Sequence, residues 1–217
     1  MHPPAAQIVV DVPIIDHATD PVQSDFPAED PLRLAAEWLP GPGEDRLLMT
    51  LTTIDDGGFP RSRTVMLSEF DSECFFFHTD AQSQKVADLA RNPRVSLTIL
   101  WPGFTRQLVV QGTVERASAA EVTDAYMRRS PYLQQLAWLN TAAFATLSRA
   151  EREAEWAAFA AAHPTPEQPE GWVGYAVRPH RLLFWVSDPD AASRRVEYVR
   201  ATGPGGWDGW IRRYLPG

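Results

Sequence analysis

Between residues 47 and 116 the chain strings short apolar runs together with strong turn signals, and only one short helical pattern intervenes. Leu47, Met49, Leu51 and Thr53 alternate with Leu48, Thr50 and Thr52, the period-two pattern of a strand with one buried face. Asp55-Asp56-Gly57-Gly58 is a hairpin signal, and Arg61 to Phe70 reads as the return strand. Cys74 to Thr79, Val95 to Trp101 and Gln107 to Arg116 read as three more strands, with turns at Asp71 to Glu73 and at Pro102-Gly103. The intervening helix is Ser83 to Asn92, apolar at Val86, Leu89 and Ala90 and closed by Pro93. A meander of neighbouring strands must curl to hide its edges and bury one face, which points to a barrel or a strongly curled sheet.

Helices flank this block. Asp30 can cap a helix that has Pro31 at its first position and an apolar stripe of Leu32, Leu34, Ala35, Trp38 and Leu39. Downstream, Ala119 to Arg129 and Ala137 to Leu147 read as helices. Ser148 with Glu151 is a capping box opening a third, to about Ala161. Trp172 to Val177, Leu182 to Val186, Arg195 to Val199 and Trp210 to Leu215 are strands able to complete a barrel. Residues 1–29, broken by Pro3, Pro4, Pro13, Pro21 and Pro27, read as a flexible arm, and residues 30–217 as one domain. The expected class is therefore α+β, a β-barrel with flanking helices.

With 217 residues, 44% of them hydrophobic, the chain can build one sizeable core. A formal net charge of −8 argues against nonspecific nucleic-acid binding. No apolar run approaches the roughly 20 residues needed to cross a bilayer, and the N-terminus lacks signal-peptide character. One cysteine, Cys74, excludes an intramolecular disulfide and a cysteine metal cluster, and fits the cytoplasm. His78 and His180 have no third ligand at metal spacing, so no metal site is expected.

The stretch Thr79-Asp80-Ala81-Gln82-Ser83-Gln84-Lys85 follows an apolar strand and opens a helix. Free backbone N–H groups and the positive helix end suit an anion there. Lys85 sits in a first turn that would favour an acid, and an external phosphate would account for it. The plainer reading, a capping Ser83 and a solvated Lys85, stays open. Arg61 and Arg63 share a strand face, as either an edge ion pair or a ligand clamp. Gln107 is either an outward polar residue or an amide able to read a polar ring edge. Trp185, beside Phe184, could lie over a planar cofactor.

These signals fall in a known order. Arg63-Thr64-Val65-Met66-Leu67, Phe76-Phe77-His78-Thr79-Asp80, Ser83-Gln84-Lys85, Asn92-Pro93-Arg94-Val95-Ser96-Leu97, Arg106-Gln107, Gly112 through Arg116, Phe184-Trp185 and the ending from Arg195 resemble pyridoxamine 5′-phosphate oxidases, over about residues 30–217. The resemblance implies a split barrel that binds FMN at the interface of a homodimer. It implies that Arg63 and Lys85 hold the FMN phosphate, beside Ser83 and Gln84, and that Thr64, Val65, Met66 and Leu67 border the flavin with His78 and Thr79. Gln107, Trp185 and Arg195 would reach it from the other subunit. A Gln-Ser pair of the family is replaced by Ala142-Ala143.

The family's substrate residues carry over poorly. Ser68 stands where the family has Lys, Ala125 where it has Tyr (with Tyr126 adjacent), and Leu133 where it has Ser. Ala191-Ala192-Ser193 stands for Arg-Leu-His, followed by Arg194, while Arg129 is kept. Charge-assisted donors contribute roughly 1.5–3 kcal/mol each, so losing two costs about a hundredfold or more in affinity for a phosphate. The expectation is an FMN-dependent oxidase passing electrons from a reduced aromatic substrate to dioxygen, in the manner of the flavin oxidases of phenazine biosynthesis. The alternatives are a pyridoxine/pyridoxamine 5′-phosphate oxidase and a non-catalytic module for flavin or another cofactor.

Overall fold

The computed structural model describes residues 15–18, 29–41, 47–202 and 208–217. The arm expected over residues 1–29 lies outside the described residues, except for residues 15–18 and 29. At the first of these, the Asp16 N–H donates to the Gly103 carbonyl at 2.7 Å.

The order of elements is α1 (Pro31–Trp38), β1 (Leu48–Ile54), β2 (Pro60–Met66), β3 (Glu69–Phe70), β4 (Phe75–Asp80), α2 (Gln84–Arg91), β5 (Arg94–Leu100), β6 (Arg106–Arg116), α3 (Ala119–Met127), α4 (Pro131–Leu139), α5 (Ala142–Ala145), α6 (Arg149–Ala162), β7 (Trp172–Val186), β8 (Arg194–Thr202) and β9 (Asp208–Pro216). The strands form one antiparallel sheet in the order β2-β1-β5-β6-β7-β4-β3, with β8 and then β9 added to β7. The sheet curls into a half-barrel with helices on its flanks.

Strand β7 makes the curl possible. One edge pairs with β6 along nearly its whole length, from Tyr175 to Val186. The other edge is shared: Trp172–Val177 pairs with β4, and Arg181–Val186 pairs with β8. The register with β6 shifts between Gln111 and Gly112, opposite Pro179. Proline has no N–H to give a ladder and tolerates such a bulge. Gly112 is required there, because a β-carbon would overlap the Arg178 carbonyl oxygen.

Alternation puts Met49, Leu51, Leu97, Ile99, Leu108, Val110, Leu182, Phe184, Val196 and Tyr198 on the inner face, all essentially without exposed surface. Helix α1 lies over them. Asp30 caps it by accepting from the Leu32 N–H at 2.9 Å, and Trp38 meets Trp101 and Phe184 edge-on at 5.5 and 5.0 Å. The capping box expected at Ser148 forms, with Glu151 Oε2 accepting from the Ser148 N–H at 2.8 Å.

Three elements differ from the sequence reading. The strand expected over Arg61 to Phe70 breaks at Leu67-Ser68, because Leu67 donates to the Leu47 carbonyl while Ser68 turns to the Phe76 carbonyl. The helix expected over Ala137 to Leu147 is two helices, α4 and α5. Ser130 and Thr141 each accept a capping bond, from the Leu133 and Phe144 N–H groups respectively, and so start them separately. The strands expected at Trp172 to Val177 and Leu182 to Val186 are one continuous strand, since β6 pairs across the Pro179 bulge between them.

Helix α2 is fixed to the sheet by Asp88, whose side chain is fully buried. Thr53 Oγ1 donates to its Oδ2 at 2.8 Å. Arg61, Arg63 and Arg91 approach the carboxylate at 3.4, 3.5 and 3.1 Å. A carboxylate stripped of water is tolerated only with such partners. Replacing Asp88 with Ala is expected to destabilise the fold by about 2–4 kcal/mol, the partial exposure of the guanidiniums softening the loss. Urea unfolding followed by circular dichroism measures it, and a change under about 0.5 kcal/mol would refute the role given to this carboxylate.

Candidate functional site

A cleft of about 800 Å³ opens between the sheet and the helices. Its sheet wall is Leu48, Thr64, Val65 and Met66 with His78, Thr79 and Asp80. The turn into α2 supplies Gln82, Ser83, Gln84 and Lys85, while α4 and the segment after it supply Leu133, Leu136, Ala137, Asn140, Thr141 and Ala142. Arg129 and Trp172 close the remaining side.

One end gathers hydrogen-bond donors and positive charge. Ser83 is the N-cap of α2, yet its side chain makes no capping bond; its Oγ instead lies 3.3 Å from Thr79 Oγ1. The Lys85 ammonium donates to the same Thr79 hydroxyl at 2.9 Å. Burial, and then the charge of Arg63, hold Lys85 below its ordinary pKa, with Asp80 partly opposing. The plain reading of a capping serine and a solvated lysine is therefore not what the fold builds. Half-buried donors lie beside a helix N-terminus, and the charge of Arg63 disfavours that of Lys85. An anion would relieve both.

Arg63 stands behind this wall and does not line the cleft. Its Nη1 donates to Thr53 Oγ1 at 2.8 Å and to the Leu51 carbonyl at 3.3 Å, and its Nη2 faces Asp88. Burial pushes its guanidinium below the usual range against the pull of Asp88. Leu67 is buried in the core beneath the cleft.

The other end is aromatic and carries one guanidinium. The Arg129 guanidinium lies 4.2 Å from the centroid of the Trp172 ring and donates to the Leu133 carbonyl at 3.4 Å. His78 stacks nearly parallel to Trp172, 5.5 Å away, and its Nδ1 is 2.9 Å from Ser68 Oγ. Burial, followed by Arg129 and Arg128, lowers the His78 pKa from 6.5 to about 4, with Glu121 opposing. Tyr126, the tyrosine next to Ala125, does not line the cleft. It is fully buried, and its hydroxyl donates to the carbonyls of Pro166 and Glu167 at 3.1 and 2.8 Å.

The pattern of the pyridoxamine 5′-phosphate oxidase family matches residues 43–160. A pyridoxine/pyridoxamine 5′-phosphate oxidase of Salinibacter ruber is 32% identical over 200 residues, 88% of this chain and 93% of that protein. The chain belongs to the pyridoxamine 5′-phosphate oxidase family. The same-named protein of Ralstonia pickettii is 39% identical over 161 residues, 73% of this chain and 75% of that one. In fold, the chain resembles PhzG from Burkholderia lata 383, solved in complex with tetrahydrophenazine-1-carboxylic acid. The TM-score is 0.73 at 22% identity, covering 96% and 99% of the two chains. A pyridoxamine 5′-phosphate oxidase-related, FMN binding protein from Nostoc punctiforme gives a TM-score of 0.61 at 15% identity, over 78% and 88%. The half-barrel is thus the split barrel of this family.

Of the family-derived positions, the cleft gathers Thr64, Val65, Met66, His78, Thr79, Ser83, Gln84, Lys85, Arg129 and Leu133. Gln107, Trp185 and Arg195 do not line it. They stand side by side on neighbouring strands, Gln107 opposite Trp185 and Trp185 opposite Arg195. This row lies on the outer face of the sheet, opposite the buried Leu108, Phe184 and Val196. Ala191, Ser193 and Arg194 lie at the β7–β8 turn beside the row, with Arg194 over the Tyr214 ring at 5.4 Å. Ser68 touches the cleft only through His78. Asp88 and Trp172 went unnoticed in the sequence as site residues. The one signal for Asp88 was an acid on the inward side of α2, near Leu89.

An imidazole kept neutral by folding takes up its proton more readily when unfolded, so stability is lost as pH falls from 6.5 toward 4. With its partial exposure discounted, His78 is expected to contribute up to about 2 kcal/mol to that loss. Denaturation midpoints at pH 7 and pH 4.5, compared between the native chain and His78→Gln, measure it. An unchanged difference would exclude His78 as the source.

Proposed function

We propose that this chain is an FMN-dependent oxidase acting on a reduced aromatic or heterocyclic acid, such as a phenazine-type dihydroaromatic carboxylic acid, with dioxygen as acceptor. It would act as a homodimer in the cytoplasm. The observation that carries this reading is the contrast between the two ends of the cleft: one gathers cations and donors, the other is walled by apolar side chains around one guanidinium.

The donor set at the first end fits a phosphate monoester such as that of FMN. Lys85, Thr79, Ser83 and the first N–H groups of α2 would hold it, with Arg63 behind supplying charge. The strand Thr64–Met66 would lie along the flavin ring. FMN, when bound, supplies a two-electron acceptor that takes a hydride from substrate and returns the electrons to dioxygen. The row Gln107, Trp185 and Arg195 faces outward, which suits a contribution to the cleft of a second copy.

At the second end Arg129 would pair with a substrate carboxylate, and its stacking on Trp172 orients the guanidinium. Leu133, Leu136, Ala137 and Ala142 leave a wide apolar floor for a flat ring. No second guanidinium or ammonium lines this end among the described residues, so a doubly charged phosphate finds one cation where it needs several. The identity to proteins named pyridoxine/pyridoxamine 5′-phosphate oxidases supports the alternative, that this chain oxidises pyridoxine phosphate.

Oxygen-uptake assays of the FMN-loaded protein separate the two. Turnover of a dihydrophenazine carboxylic acid with little on pyridoxine 5′-phosphate is expected, and the reverse preference would overturn the reading. Lys85→Ala is expected to weaken FMN binding about ten- to a hundredfold in a fluorescence-quenching titration. Arg129→Leu is expected to raise KM for the carboxylic acid about tenfold or more while sparing its carboxamide. An equal loss for both compounds would remove Arg129 from carboxylate recognition.

A further inference from the structure

Helix α4 makes one wall of the cleft, yet among the described residues none of its side-chain hydrogen bonds reaches a strand of the sheet. Leu133, Leu136 and Ala137 share the face that lines the cleft, at helical spacing. Ala137 also packs against the cluster of Val122, Tyr126 and Trp172. The bonds leave from the other faces. Gln134 Nε2 donates to the Tyr126 carbonyl at 3.3 Å, Gln135 Nε2 to the Trp156 carbonyl at 2.6 Å, and Trp138 Nε1 to the Glu167 carbonyl at 2.8 Å. They lead to α3, to α6 and to the segment before β7.

That segment is the fixed point. Pro164, Pro166 and Pro169 restrict its backbone, and Pro166 and Pro169 are buried. The Pro169 carbonyl accepts from the Trp172 N–H at 3.0 Å, and the Gly171 carbonyl accepts from the Ala81 N–H at 2.7 Å, in the turn before α2. The segment is thus tied both to β7 and to the donor-rich turn. Its Glu167 carbonyl takes two donors, the Trp138 indole and the Tyr126 hydroxyl, each at 2.8 Å, and the same hydroxyl reaches the Pro166 carbonyl at 3.1 Å. A carbonyl oxygen has two lone pairs, and these donors fill both. Burial holds the Tyr126 phenol above its ordinary pKa, with Trp138 and Arg129 opposing, so the hydroxyl remains a donor at neutral pH.

We propose that Tyr126, Trp138 and the Glu167 carbonyl form a clasp that positions α4 against the sheet and thereby limits the cleft to flat ring systems. Neither Tyr126 nor Trp138 lines the cleft. Both are positioning residues, acting through α4, and Leu133, Leu136 and Ala137 are the groups that meet the ring. The inference rests on the substrate reading above and adds a reason for its shape: α4 cannot draw back from Thr64–Met66 to admit a thicker ligand without breaking the clasp.

Trp138→Phe and Tyr126→Phe keep the aromatic rings and delete one donor each. Hydrogen exchange of the FMN-loaded protein, read by mass spectrometry, should show α4 amides exchanging about fivefold faster in either variant, the worth of one neutral hydrogen bond, with β6 amides unchanged. No change in α4, or an equal acceleration in β6 that marks a general loss of stability, would overturn the clasp. Ligand preference is then read by flavin absorbance titration with phenazine-1-carboxylic acid and with triptycene-1-carboxylic acid, whose third ring stands out of the plane. The native chain should prefer the flat acid at least about tenfold, and each variant should narrow that ratio about threefold to fivefold while binding FMN as the native chain does. A ratio unchanged in both variants would overturn the limit on thickness. If the native chain bound neither acid, the substrate reading would fail, while faster exchange confined to α4 would still uphold the clasp as what positions that helix.

Discussion

Asp88 carries a carboxylate with no exposed surface, enclosed by Thr53 and three guanidiniums, and the cleft depends on it. A buried charge persists only when its partners are held in place, so this group ties α2 to β1 and β2 at once. That tie sets the N-terminus of α2 against the sheet, and Ser83 and Lys85 with it. The charge balance has a further effect. Asp55, Asp80 and Asp88 are three carboxylates against Arg61, Arg63, Arg91 and Lys85, so one positive charge is left over. The same network that stabilises the helix thus leaves the adjoining end of the cleft electropositive, in a chain whose net charge is −8.

The second constraint is the shared edge of β7. Because β4 takes one half and β8 the other, the β8–β9 ribbon extends the sheet from the same edge of β7, past the end of β4. Gln107, Trp185 and Arg195 are brought into one row by that extension, on the face turned away from the core. Residues far apart in the chain become neighbours, and their side is set by strand alternation against Leu108, Phe184 and Val196. Under the proposed reading, the row and the cleft belong to one site only when two copies meet.

The two ends of the cleft differ in how they treat charge. At Lys85 the donors converge and the cations are crowded. At Arg129 a single guanidinium lies on Trp172, and the nearby imidazole is held neutral by burial and by the neighbouring arginines. Under the proposed reading the first end holds the cofactor phosphate, and the second is where Ser68, Ala125 and Leu133 would set this chain apart from the family pattern. The buried Tyr126 is turned away from the cleft, its hydroxyl committed to the backbone at Pro166 and Glu167.

Much of the fold was legible in the sequence because its signals are local. Period-two alternation, the Asp55 to Gly58 turn, the Asp30 cap and the Ser148–Glu151 capping box each depend on residues within a few positions of one another. Where that locality failed, the reading failed: β7 looked like two strands because its continuity comes from β6, and α4 and α5 looked like one helix until the caps at Ser130 and Thr141 were resolved. The site divides the same way. Lys85, Ser83 and Thr79 share one turn and could be recognised together. The sequence by itself determined a curled antiparallel sheet with a donor-rich turn after β4. Only the tertiary structure decided that Asp88 anchors that turn, that Arg63 stands behind it, and that Ser68, His78, Trp172 and Arg129 meet. Those contacts join residues up to about a hundred positions apart, and their energies arise from burial and charge pairing that exist only once the chain has folded.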